Sequence, residues 1–184
     1  MTGEYAAEPV TGLVGVDDGL QRLWTPHRMA YIDSHNDAPA ATECPFCAAP
    51  VKSDEAGLIV HRGETAYVIL NLFPYNPGHL LVCPYRHVAD YAGLTQQETR
   101  EIAALTQHSL RVLRAASQPA GFNTGMNLGE VAGAGVAGHL HQHIVPRWRG
   151  DANFFPIIAE TKAIPQLLAD TRELLARTWR GGDG

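Results

Sequence analysis

GHLHQHIVPRW, residues 138–148, places histidines at 139, 141 and 143 in a largely apolar run that meets Pro146. In a helix, positions i, i+2 and i+4 stand at about 0°, 200° and 40°, so His141 would point away from the other two. In a strand all three share one face, with Leu140, Gln142 and Ile144 on the other. The β-rich neighbours and the proline favour a strand over residues 139–145. Three imidazoles then line one surface.

Working outward, GLIVHR (57–62) and TAYVILNLF (65–73) are two β-rich runs with a short glycine-containing connection, which reads as a hairpin. PYNPG (74–78) breaks the chain, and HLLVCP (79–84) follows as a third strand. Thr95-Gln-Gln-Glu98 has the form of a capping box, and Ile102, Leu105, Val112 and Leu113 fall on one helical face behind it, so a helix runs to about Ser117. FNTGMNL (122–128) reads as a fourth strand, GEVAGAGVAG (129–138) as a glycine-rich loop, and the histidine run as the fifth. IPQLLADTRELLARTW (164–179) closes the chain as a helix with Pro165 in its first turn and Leu167, Leu168, Leu174 and Leu175 on one stripe. Hairpin-linked strands with helices to one side give an α+β fold with an antiparallel sheet. Ahead of it, residues 1–16 read as a mobile tail, 21–33 as a short helix or turn limited by Pro26, and 34–42 as a linker. The rest, 17–184, is one domain.

Composition narrows the partners. With 184 residues there is room for one sizeable core. A charged fraction of 18% and a net charge of −5 supply no broad basic field for a nucleic-acid backbone. A small phosphorylated ligand remains compatible, because backbone amides can bind phosphate locally. The first residues carry no export signal, and no apolar run approaches membrane-spanning length, so a cytoplasmic protein is expected. The odd count of three cysteines argues against a disulfide framework, and Cys83, inside an apolar run, reads as a small core residue.

Three chemistries suit three imidazoles on one face. They can be satisfied surface or core groups, hold a catalytic metal as His-x-His sites do, or carry nucleophilic catalysis, one ring attacking phosphorus while another bonds and protonates the leaving group. Glycines at 125, 129, 133, 135 and 138 allow backbone amides close to a bound anion, which points towards phosphoryl or nucleotidyl transfer. Cys44-Pro-Phe-Cys47 supplies half a tetrahedral metal site. It follows a polar linker rather than opening a βαβ helix, so a redox pair is disfavoured. His87 and one histidine of the triad are candidates to complete it. Taken singly, His61, His79 and His87 read as solvated turn residues.

These motifs together resemble the histidine triad (HIT) family. HLHQHIV fits its signature His-φ-His-φ-His-φ-φ, with polar Gln142 at one φ position. NPGHLLVCPYRH, the NLGEVAGAG loop, PRWRGDANF, LWTPHRMAYI and the cysteine pair extend the likeness to a bacterial branch over residues 22–180. The resemblance implies a HIT fold: a five-stranded antiparallel sheet with a packed long helix and a C-terminal helix, usually in a homodimer. It implies an enzyme cleaving dinucleoside polyphosphates, diadenosine tetraphosphate foremost, by hydrolysis or phosphorolysis through a nucleotidyl-histidine. An adenosine phosphoramidase and a non-catalytic nucleotide-binding module are the alternatives. By the same resemblance His141 is the nucleophile and His143 contacts phosphate and leaving group. Asn71 meets the ribose, Asn127, Gly133 and Gly135 lie near phosphate, and Cys44, Cys47, His87 and His139 hold a structural zinc. Where many members carry Gln, Ser or Thr before the triad, this chain has Gly133-Ala134-Gly135-Val136-Ala137-Gly138, which leaves that contact to backbone amides.

Overall fold

The computed structural model describes residues 44–151 and 167–181; the expected tail, the 21–33 segment, the linker and Pro165 lie outside them. A short helix α1 (Pro45–Ala48) with a following 3-10 turn leads into β1 (Ile59–Arg62), β2 (Ala66–Leu70) and β3 (Leu80–Pro84). The long helix α2 (Gln96–Ser117) precedes β4 (Gly121–Met126), and β5 (Gln142–Arg147) and α3 (Leu168–Gly181) follow. The sheet has five strands in the order β1-β2-β3-β5-β4, every pair antiparallel. Among the described residues no helix is long and apolar enough to cross a membrane.

The alternation of side chains sorts two layers. Ala66, Val68 and Leu70 of β2, Leu80 and Val82 of β3, and Ile144 of β5 face the helices. There they pack on Ile102, Leu105, Val112 and Leu113 of α2 and on Leu175, Ala176 and Trp179 of α3. Tyr67, Ile69, Leu81 and Cys83 take the opposite face, with Ala49 and Phe46 beside them. Burial pushes the Cys83 thiol up, so it stays protonated and inert. On α3 the stripe differs from the expected one: Leu167 is exposed, and Trp179 joins Leu175 in the core.

The capping box forms as expected. Glu98 N–H donates to Thr95 Oγ1, and Thr95 N–H to Glu98 Oε2 at 2.7 Å. Arg86 clasps the same carboxylate with Nε at 2.9 Å and Nη2 at 2.8 Å, holding it at about 2, well below the usual range.

The histidine run is where the strand differs. Pairing begins at Gln142, so His139, Leu140 and His141 form an irregular lead-in rather than the first residues of β5. Their backbone groups are drawn elsewhere: Leu140 N–H donates to Val88 O at 2.7 Å, and His139 N–H to Val136 O at 3.4 Å. Pro146 lies inside the strand instead of ending it. β3 pairs with β5 only as far as Ile144, so beyond that point no ladder partner on the β3 side needs an N–H from the proline.

Candidate functional site

Two clusters meet at the histidine lead-in. In the first, Pro45 starts α1 between the cysteines and Cys47 N–H donates to Cys44 O, so both thiols emerge from one turn. His139 Nδ1 lies 3.4 Å from Cys44 Sγ and 3.5 Å from Cys47 Sγ, and His87 Nδ1 lies 3.3 Å from Cys47 Sγ. The ligand atoms of Cys44, Cys47, His87 and His139 all fall within 4.8 Å of one another. A zinc tetrahedron with ordinary bond lengths has S···N edges of about 3.6 Å, so the four residues fit one such ion. His139 Nε2–H donates to Pro84 O at 2.9 Å, which leaves the Nδ1 lone pair facing the thiols. This is the outer hydrogen bond that orients a metal-binding imidazole. Gly138 faces His87: a Cβ there would stand 3.5 Å from His87 Nε2.

The second cluster is a pair of rings in opposite tautomers. His141 Nδ1 bonds the carbonyl of His139 at 2.8 Å; a carbonyl only accepts, so Nδ1 carries the proton and Nε2 a lone pair. His143 Nδ1 lies 2.9 Å from His79 Nε2. The backbone N–H of Tyr75 donates to His79 Nδ1 at 3.1 Å, joined by Asn71 Nδ2 at 3.2 Å, so His79 must carry its proton on Nε2 and give it to His143 Nδ1. His143 then carries its own proton on Nε2. That atom is buried without a hydrogen-bond partner among the described residues. The two rings lie 5.0 Å apart at 68°. Burial lowers His141, and it pushes His143 down to about 4, the neighbouring His141 adding to the shift. One neutral ring therefore offers a lone pair while its neighbour offers an N–H.

Of the residues singled out from sequence, Cys44, Cys47, His87 and His139 come together, and His141 joins His143. Among the described residues Asn71 reaches this pair through His79, its Oδ1 accepting from Phe73 N–H at 3.1 Å. Asn127 acts on the glycine loop: its Nδ2 donates to Gly133 O at 3.2 Å, while Gly133 takes a left-handed φ of +88°. No hydrogen bond among the described residues joins Gly133 or Gly135 to a histidine. His79, read from sequence as a turn residue, is fully buried between Tyr75 and His143. Its signal was parity: His79 leads a strand in which Leu81 faces His143 across the ladder, so 79, 81 and 143 share a face.

Comparison with known proteins bears on the family and the fold. The family model described as HIT domain matches residues 53–150. Over 173 residues the chain is 53% identical to a Mycobacterium tuberculosis protein named AP-4-A phosphorylase, covering 90% of this chain and 88% of that one. It is 30% identical over 123 residues to "Protein hit" of Bacillus subtilis, 67% of this chain and 83% of the other. Among solved structures, a zinc-bound histidine triad family protein from Mycobacterium smegmatis superposes with a TM-score of 0.60 at 25% identity, over 77% of this chain and 96% of its own. With its histidine run, its sheet order and these relatives in agreement, the chain belongs to the HIT family.

Proposed function

We propose that the protein cleaves diadenosine tetraphosphate by phosphorolysis, through an adenylyl group carried on His141. The observation that carries this reading is the opposed tautomers of His141 and His143. His141 Nε2 attacks the α-phosphorus and forms a P–N bond as the P–O bond to the leaving ATP breaks. His143 Nε2–H donates to the oxygen on which charge develops, in a site shielded from water. Inorganic phosphate then attacks the adenylyl group, releasing ADP and restoring His141. The mycobacterial relative named AP-4-A phosphorylase supports phosphate over water as acceptor.

The relay from Tyr75 through His79 keeps His143 a neutral donor of a hydrogen bond. A polyphosphate leaves as a stable anion and needs no more. An amine leaving group needs a full proton, which makes a phosphoramidate the poorer substrate. Asn71 contacts the ribose, and the amides of Gly133 and Gly135, in the loop that Asn127 holds, approach phosphate.

Cys44, Cys47, His87 and His139 would hold one zinc. With four protein ligands such a site would be closed to substrate and water, and the ion would supply rigidity rather than Lewis acidity. The reducing cytoplasm, where the cysteine pair stays free to bind metal, suits this site.

Incubation with diadenosine tetraphosphate, with and without phosphate, tests the proposal by chromatography of the products. ADP plus ATP, formed only with phosphate, is the expected result. AMP plus ATP without phosphate would make it a hydrolase, and turnover of adenosine 5′-phosphoramidate alone would overturn the substrate class.

A further inference from the structure

Phe46 lies between the two cysteines of α1, yet its ring turns towards the second cluster. Its centroid is 4.8 Å from that of His141 at 40° and 5.6 Å from that of His139 at 65°. Its carbonyl accepts the hydroxyl of Tyr67 at 2.6 Å, and Tyr67 is fully buried, so the segment is tied to the sheet. Among the described residues His141 is held by one side-chain hydrogen bond, at Nδ1. A single bond fixes one atom of a ring and leaves its tilt free. Phe46 and His143 supply the missing walls.

We infer that Phe46 is a positioning residue: it sets the tilt of the His141 ring and transmits the state of the Cys44–Cys47–His87–His139 site to the nucleophile. The inference rests on His141 being the nucleophile, as proposed above. The geometry gives the link two routes to His141. One is the main chain, since His139 offers its ring to the cysteines and its carbonyl to His141. The other is the Phe46 ring, held at both ends of its turn by Cys44 and Cys47. Release of the thiols removes the two flanking restraints and leaves the turn held by the Tyr67 hydroxyl at the Phe46 carbonyl, about which the ring against His141 can shift.

The test compares wild type, Phe46→Ala and Phe46→Tyr by three measurements. These are single-turnover adenylylation from diadenosine tetraphosphate, zinc content, and the rate at which diethyl pyrocarbonate modifies His141, located by mass spectrometry. Phe46→Ala should keep one zinc per chain and a KM within about threefold of wild type, while adenylylation slows roughly thirtyfold, as small misplacements of reacting groups do. Its His141 should be modified faster, and Phe46→Tyr should restore both rates. Chelation should raise the modification rate in wild type and add little in Phe46→Ala. Unchanged rates in Phe46→Ala, or a raised KM with kcat intact, would overturn the positioning role. An equal further rise on chelation in both proteins would overturn the transmission. Should Phe46→Ala fail to fold by circular dichroism, Phe46→Leu, which keeps most of the volume without the flat ring, carries the same test. A wild type that never forms adenylyl-His141 would instead overturn the proposed reaction, while the modification rates still report on Phe46.

Discussion

The tautomer of His143 is set from behind the ring, by His79 and the groups that hold His79. The donor at Tyr75 N decides which nitrogen of His79 is protonated, and that decides which nitrogen of His143 is. His79→Phe removes the relay and lets His143 take either tautomer; kcat should fall by about 10–100-fold with KM little changed, read from steady-state kinetics. His141→Ala should abolish adenylylation outright while retaining mononucleotide binding by calorimetry. The pH dependence follows from burial. Both rings are lowered from their ordinary value, His143 to about 4, so they stay neutral as pH drops through 6.5. The acid limb of kcat/KM, which reports the free enzyme, should therefore lie below pH 6.5; a limb at or above that value would contradict the assignment. Sequence spacing alone distinguished none of this, because tautomers depend on partners that lie far along the chain.

At the scale of elements, alternation was legible and end points were not. The parity of 139, 141 and 143 placed Gln142 and Ile144 on the other face, and there Gln142 donates to Thr106 of α2 at 3.0 Å. Where pairing starts depends on Val88 and Val136 capturing the backbone first, which no local pattern announces. The capping box of α2 was readable because all its groups lie within four residues. Arg86 was not, since it arrives from the loop after β3. Glu98→Ala should cost about 1 kcal/mol or more in urea unfolding, as loss of a cap does. Because the folded pKa of Glu98 is depressed, its contribution is present above pH 4.5 and is lost as pH falls towards 2. For α1, Cys44→Ser should lower the melting temperature and abolish stoichiometric zinc, with a smaller effect on single-turnover chemistry in the protein that remains folded.

At the scale of the whole molecule, the sheet has α2 and α3 on one face and α1 with the two histidine clusters on the other, so the candidate site and the main core use opposite sides of the same strands. That layout follows from hydrophobic alternation and was within reach of sequence. The strand order was not, because β5 inserts between β3 and β4 and only long-range pairing reveals it. Among the described residues β4 is an edge strand, half of its six residues exposed. An edge of this kind invites a second strand. We expect a homodimer joined there, with a light-scattering mass near twice 19.9 kDa; a monomer across micromolar concentrations would refute it.

His139 has one further consequence, and it concerns order in time. Synthesis delivers Cys44 and Cys47 first, then His87, and His139 only after β1 to β4 are complete. The four residues that would hold a metal are therefore complete only when the last histidine arrives. Its arrival seats the lead-in to β5 and brings the His139 carbonyl to His141 Nδ1. The residue that completes the candidate metal site is thus the same one that positions His141, and both wait for the last strand to be made.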